Sequence, residues 1–182
     1  MCRFLQLISA NKNYAFLSST SKSMEEHFKK YAAQLKKMIE LFSADTPNGK
    51  KIGIMLEEIG WDYKVTKVNI FKDEQFKAEF RKLSPFSKIP VIIDHKNNKE
   101  TIFESGAILM YLGEKSKKFY EEDNRLKINQ WLMIQMAIVG PFIGQHHQFH
   151  HYNPGKSKFG EERYFKISKR IYQELDEVLS KS

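Results

Sequence analysis

Between Met38 and Leu112 the apolar residues switch repeatedly between short continuous runs and helical spacing. This alternation restricts the fold more tightly than any bulk property of the chain. Met38-Ile39-Glu40-Leu41-Phe42, closed by the turn-forming Asp45-Thr46-Pro47-Asn48-Gly49, reads as a buried strand. Met55, Leu56 and Ile59 fall three, four and seven residues after Ile52, and Gly60 follows, the pattern of a helix with a glycine past its end. Tyr63 to Ile70 is β-branched and aromatic and reads as a second strand. Phe76, Phe80 and Leu83 mark a second helix, which must stop before Pro85 because a residue preceding proline is pushed out of the helical region. Val91-Ile92-Ile93 and Thr101-Ile102-Phe103 read as two strands joined by the polar hairpin loop His95–Lys99. Ile108, Leu109 and Leu112 mark a third helix, with Ser105 placed to cap it.

The order is therefore β-α-β-α-β-β-α. A right-handed crossover makes the first two strands parallel, and the hairpin adds an antiparallel pair. This is an α/β, thioredoxin-like arrangement over residues 36–115, followed by an all-α part. Residues 116–124 form a charged linker. From Leu126 to Gln148 the pattern is helical around Trp131, Met133, Met136 and Val139, with a kink expected at Gly140-Pro141. His150 to Lys158 reads as a loop. Tyr164, Ile167, Ser168, Ile171, Leu175, Val178 and Leu179 then define an amphipathic helix. Residues 125–182 make a partial helical bundle, and residues 1–35 an extension that is poorly structured or helical.

Composition excludes several classes of function. Among 182 residues Cys2 is the single cysteine, so there is no internal dithiol and any redox chemistry must borrow its sulfur. No apolar run approaches the ~20 residues of a membrane-spanning helix. The net charge of +8 raises the question of nucleic acid. Half of the excess falls in the first forty residues, however, and elsewhere lysines sit beside acids, as on a solvated surface. The expectation is a soluble protein of a reducing, cytoplasmic compartment without a nucleic-acid or membrane partner.

The ordered segments Thr46-Pro47-Asn48-Gly49-Lys50-Lys51-Ile52, Leu56-Glu57-Glu58, Glu74-Gln75-Phe76, Ser84-Pro85-Phe86-Ser87-Lys88-Ile89-Pro90 and Phe103-Glu104-Ser105-Gly106-Ala107-Ile108-Leu109-Met110-Tyr111-Leu112 resemble the glutathione S-transferase superfamily. The resemblance is to its bacterial nu-class branch, related to the fungal Ure2-like proteins. Gln130-Trp131-Leu132, Gly140-Pro141-Phe142-Ile143-Gly144-Gln145-His146-His147 and Glu162-Arg163-Tyr164 extend it into the helical part, over roughly Met38 to Leu179.

The resemblance implies glutathione as co-substrate, no metal, a homodimer, and disulfide reduction or weak conjugation of electrophiles. It places the γ-glutamyl carboxylate where Glu104-Ser105-Gly106 opens a helix, since free N–H groups and the dipole favour an anion there; Ser105 adds a donor and Glu104 faces the ammonium. It places a cis-proline at Ile89-Pro90, with the main chain of Ile89 pairing the cysteinyl part like an added strand. Lys88 and Gln75 reach the glycyl and γ-glutamyl ends. Where other branches carry Tyr, Ser or Cys this chain has Thr46-Pro47-Asn48, so the Thr46 hydroxyl and Asn48 amide would hold glutathione's own thiolate. On residues alone plainer readings stand beside these: a turn and cap at Thr46–Gly49, an N-cap at Ser105, a strand-starting Pro90, and solvated Gln75 and Lys88.

Arg163 and Tyr164 start the last helix near where relatives line a substrate cleft; a surface arginine and a core tyrosine fit as well. His146/His150 and His147/His151 have the i, i+4 spacing of metal ligands, but the resemblance accounts for this stretch without a metal. Complete relatives continue with further helices past the Tyr164–Leu179 element, whereas this sequence stops at Ser182. It is thus expected to be a truncated or decaying gene product, a fragment, or a chain whose dimer partner covers the bare helical faces. The alternative function is a non-catalytic glutathione-binding or interaction protein that has lost turnover.

Overall fold

The computed structural model describes residues 39–181; the 1–35 extension lies outside them. The described chain forms two compact units, one running through Phe103 and one from Glu104.

In the first unit, strands β1 (Ile39–Ser43), β2 (Tyr63–Lys67), β3 (Val91–Asp94) and β4 (Glu100–Phe103) form one sheet in the order β2-β1-β3-β4. β1 runs parallel to β2 with Ile39 opposite Tyr63, and antiparallel to β3 with Phe42 opposite Val91. β3 and β4 form the expected hairpin, Val91 opposite Phe103. Apolar alternation puts Ile39 and Leu41 in the core, where Val91 and Ile92 join them. Helix α1 (Pro47–Ile59) buries Ile52, Met55, Leu56 and Ile59, the positions its spacing selected. It ends at Gly60, whose left-handed φ of 74° lets its N–H reach the Glu57 carbonyl at 3.0 Å. The thioredoxin-like fold class is thus observed, followed by a helical unit.

Two expectations in this unit are corrected. β2 ends at Lys67 rather than Ile70, and the second helix shrinks to one turn, α2 (Ala78–Arg81). The Asn69 side chain accepts from the Phe71 N–H (3.1 Å) and opens a 3₁₀ turn, Ile70–Lys72, while Glu74 accepts from the Asn69 N–H (2.8 Å). Local side-chain bonds of this kind compete with strand pairing. A second 3₁₀ turn spans Glu74–Phe76. Phe80 still reaches the core, packing with Val68 and Val91 beside Phe42, Ile70, Leu83 and Ile89.

The second unit comprises α3 (Ser105–Ser116), α4 (Arg125–Ile134), α5 (Gly140–His147) and α6 (Lys158–Leu179). Between α3 and α4 the buried Tyr120 hydrogen-bonds Asn129 at 2.8 Å. The kink expected at Gly140-Pro141 is a π-helical turn, Gln135–Val139, closed by the Gly140 N–H on the Gln135 carbonyl. Widening the turn just ahead of Pro141 accommodates its missing donor. The expected 150–158 loop starts only at Asn153, because a second π-helical turn, Gln148–Tyr152, extends α5. α6 begins six residues before Tyr164, where the Ser157 hydroxyl caps the Gly160 N–H (3.1 Å).

Candidate functional site

The polar start of α1 is built by a cap. Thr46 has extended backbone (φ −136°, ψ 157°), and its Oγ1 accepts from the Gly49 N–H at 3.2 Å. The hydroxyl therefore spends a lone pair on the helix and keeps its proton to donate. Pro47 takes the first helical position, where a missing N–H costs nothing. Asn48 is exposed, and its Oδ1 accepts from Lys51 Nζ at 2.7 Å. With the oxygen so engaged, the amide N–H₂ of Asn48 is the group left to donate. Lys51 is half-buried, and burial pushes its ammonium below the ordinary lysine pKa. The first turn of α1 holds no acidic residue to offset the positive end of its dipole. Gly49 is required here: a Cβ would lie 2.5 Å from the Ala44 carbonyl oxygen and closer still to Ser43 Oγ.

The segment before β3 is held by one buried hydroxyl. Ser84 Oγ donates to the Lys88 carbonyl (2.9 Å) and accepts from the Lys88 N–H (3.0 Å). This fixes the main chain at Lys88 and leaves its side chain in solvent. The Ile89–Pro90 peptide bond is cis. Among the described residues neither the N–H nor the C=O of Ile89 has a hydrogen-bond partner. Because Val91 pairs with Phe42, this segment lies at the end of the sheet where β1 runs out toward Thr46. Gln75 sits on the second 3₁₀ turn; its Nε2 reaches the Ile70 carbonyl at 3.4 Å, and its buried Oε1 has no donor among the described residues.

In the second unit Glu104 stands immediately before α3 with φ 70° and ψ 119°, unusual for a residue with a Cβ, and its side chain makes no cap bond. The expectation that Ser105 caps α3 is corrected. Ser105 is the first helical residue, buried, and its hydroxyl meets Met136 Sδ at 3.9 Å. Gly106 is also buried, and a Cβ there would come within 3.1 Å of Met136. Arg163 and Tyr164 lie in the second turn of α6 rather than at its start. Arg163 is exposed, while the Tyr164 ring stacks on Phe149 at 5.3 Å and tilts against Phe142 at 6.4 Å.

Residues 37–114 match the family described as glutathione S-transferase, N-terminal domain. The chain is 42% identical over 151 residues to the disulfide-bond oxidoreductase YfcG of Escherichia coli (strain K12), covering 80% of this chain and 70% of that protein. It belongs to the glutathione S-transferase family. Within the family it falls in the nu-class, Ure2-like branch. The glutathione transferase URE2P6 of Phanerochaete chrysosporium, solved with oxidized glutathione, superimposes with a TM-score of 0.76 at 36% identity, over 82% of this chain and 71% of its own. A glutathione transferase from Pseudomonas putida, solved with one glutathione disulfide bound per subunit, gives 0.73 at 40% identity, over 84% and 69%.

For this transferase-like chain the sequence-predicted residues fall into separate groups. Thr46 and Asn48 share the start of α1, Lys88, Ile89 and Pro90 share the approach to β3, and Glu104, Ser105 and Gly106 share the start of α3. A cleft of about 470 Å³ in the first unit, lined by Leu41, Ala44, Gly53, Val65, Ile70 and Phe71 among others, includes none of them. Sequence reasoning missed Lys51 and Ser84, which set the geometry of Asn48 and Lys88. The i, i+3 spacing of Asn48 and Lys51 was the available signal for the first. The histidines form two ring pairs, His146/His150 at 4.3 Å and His147/His151 at 4.6 Å. Among the described residues no group of three or more possible ligands is placed to hold a metal, and no helix is long and apolar enough to cross a membrane.

Proposed function

We propose that the chain binds glutathione and uses its thiolate to reduce small disulfides. The observation that carries this reading is the paired donor set at the start of α1. The Thr46 hydroxyl keeps its proton because its oxygen caps the Gly49 N–H, and the Asn48 amide presents N–H₂ because its oxygen is held by Lys51. Two such donors, with the positive end of α1, favour a thiolate over a thiol. Lowering a thiol pKa by one unit needs about 1.4 kcal/mol, and charge-assisted hydrogen bonds contribute about 1.5–3 kcal/mol each.

Each remaining group has a matching partner on the tripeptide. The main chain of Ile89 pairs the cysteinyl residue, and the Lys88 ammonium suits the glycyl carboxylate. The first N–H groups of α3, at Ser105 and Gly106, suit the γ-glutamyl carboxylate, while Glu104 and Gln75 Oε1 suit the ammonium. In the reaction, the thiolate sulfur attacks one sulfur of the disulfide, and that bond's electron pair leaves on a thiolate. A second glutathione thiolate then attacks the glutathione sulfur of the mixed disulfide. Glutathione disulfide and a second thiolate result, each released thiolate taking a proton lost by a glutathione thiol. Two glutathiones are oxidised and one disulfide is reduced, chemistry suited to a reducing cytoplasmic compartment.

The test is glutathione-dependent reduction of a small disulfide by the parent, Asn48→Ala and Thr46→Val proteins. The reading expects each variant to slow turnover at least about tenfold, the loss of roughly one charge-assisted hydrogen bond. Parent-like rates in both would exclude it. Glutathione binding without turnover in the parent would leave the non-catalytic role.

A further inference from the structure

On its α1 side the sheet leaves the edge strand β2 open. Tyr63, Val65 and Lys67 line the cleft of about 470 Å³ between β2 and α1, and Val65 is 48% exposed. Past the end of β2 the cleft is lined by Phe71, which is 90% exposed. The α1 wall is bare: Gly49 and Gly53, one turn apart, both line it, and a Cβ on Gly53 would meet nothing within 4 Å. An apolar sheet edge of this kind is a liability unless something covers it.

The chain's own sequence contains a segment that fits. Met24, Phe28, Tyr31 and Leu35 lie four, three and four residues apart, the spacing of one helix face. As a helix this stripe is about 16 Å long, against about 13 Å for the five residues of β2. Only Met38 separates Lys37 from Ile39, the first residue of β1, and Ile39 lies opposite Tyr63. The segment therefore meets the sheet one strand spacing, about 4.8 Å, from the near end of the cleft. Tethered there, it docks without the loss of translational freedom that a separate partner must bear.

Charge agrees with the direction this tether imposes. A helix joined to β1 by so short a connection runs back along the sheet, antiparallel to β1. That direction sets Glu25 and Glu26 beside Lys67, and Lys36 and Lys37 beside Glu57 and Asp62. Lys67, Glu57 and Asp62 have no ion-pair partner among the described residues; Glu57 Oε1 accepts from the Tyr63 hydroxyl at 2.8 Å. The opposite direction would bring like charges together at both ends.

We propose that residues 24–37 dock as a helix in the cleft between α1 and β2, with Phe28 and Tyr31 over Val65. Ala44 and Gly49, which line the cleft, bracket the Thr46 cap, so the docked segment also braces the turn from which α1 starts.

Disulfide trapping on the full chain tests the docking. With Cys2→Ser removing the native thiol, Tyr31→Cys/Val65→Cys is expected to form an intrachain bond under mild oxidation. The control Tyr31→Cys/Glu100→Cys, whose second thiol lies on β4 at the opposite edge of the sheet, is expected to be at least tenfold slower. Phe28→Asp added to the cleft pair is expected to bring its rate down to the control's. Glu25→Lys/Glu26→Lys is expected to slow the cleft pair about fivefold, and Lys67→Glu added to that variant to restore the rate, a recovery that loss of helicity alone does not give. Cooperative thermal unfolding establishes that each variant is folded. A cleft pair no faster than the control, a rate indifferent to Phe28→Asp, or a charge reversal that Lys67→Glu does not rescue would each overturn the docking. A bond formed only between chains would also overturn it, and would assign the cleft to a second copy.

Discussion

Asn48 and Lys51 show how a single side-chain contact decides what a site can offer. An amide has a donor end and an acceptor end, and a lysine ammonium only donates. With Nζ 2.7 Å from Oδ1, the amide cannot turn its oxygen outward without losing that bond. Replacing Lys51 by Met keeps the aliphatic stem and removes the donor, freeing the Asn48 amide to rotate. The expected outcome is an ultraviolet-monitored titration in which the bound glutathione thiol ionises at higher pH than in the parent, with Lys51→Arg close to the parent. An unchanged titration in Lys51→Met would show that Asn48 needs no such anchor. Glu40 plays a structural part of similar economy. Its Oε1 accepts from Lys64 (2.8 Å) and Thr66 (2.6 Å) on β2, and its Oε2 meets His95 Nε2 at 3.2 Å past β3. Burial pushes its carboxyl up, but the bonds from Lys64, Thr66 and His95 together outweigh this and hold it below the ordinary range. A carboxyl depressed in the folded state contributes stability that is complete above its unfolded value of 4.5 and is lost as pH falls through the folded one. Glu40→Gln is therefore expected to destabilise the protein by about 1–3 kcal/mol at neutral pH, with the gap to the parent narrowing below pH 4.5 in urea-unfolding midpoints.

At the scale of elements, helices and strands with strong periodicity were legible and those set by local side-chain bonds were not. Ile52, Met55, Leu56 and Ile59 announced α1, and Gly60 its end. Val91–Asp94 and Glu100–Phe103 followed from their apolar runs and the polar loop between them. The stretch from Val68 to Leu83 failed because Phe76, Phe80 and Leu83 have helical spacing over only one turn of helix, α2: Asn69 and Glu74 bond the main chain locally, and Asp73 sits in the left-handed region at φ 55°. The candidate site was legible as residue types through family resemblance, since a threonine and an asparagine at a helix start suit a plain cap equally. Its supporting contacts were not, because the reciprocal Ser84–Lys88 bonds depend on a loop conformation that no period encodes. Ser84→Ala should remove both bonds at a buried position, leaving two main-chain groups without their partner, and cost about 1–3 kcal/mol. Faster hydrogen exchange is expected at the Lys88 amide; an exchange rate equal to the parent's would show that the segment before β3 is held by other means. Gly49→Ala should be costlier still, since the new Cβ meets the Ala44 main-chain oxygen as well as the Ser43 hydroxyl, and main chain cannot swing aside.

For the whole molecule, binding and turnover are separable, and unfolding reads the first without the second. A ligand that binds only the folded state stabilises it by RT ln(1 + [L]/Kd), about 2.7 kcal/mol at a hundredfold excess over Kd. For a chain of this length that corresponds to a rise in Tm of roughly 5–10 °C. Glutathione and glutathione disulfide are both expected to raise the midpoint, because the groups that suit the tripeptide's ends and main chain do not act on its sulfur. Asn48→Ala should keep most of that rise while losing turnover, since only the thiolate contact is removed. Glu104→Ala, directed at the γ-glutamyl ammonium, should do the reverse: lose the rise, and regain parent-like turnover only at higher glutathione. Midpoints that ignore glutathione at any concentration would defeat the proposed function at its first step. Equal losses of binding in Asn48→Ala and Glu104→Ala would instead place Asn48 in the binding of the whole tripeptide rather than in the ionisation of its thiol.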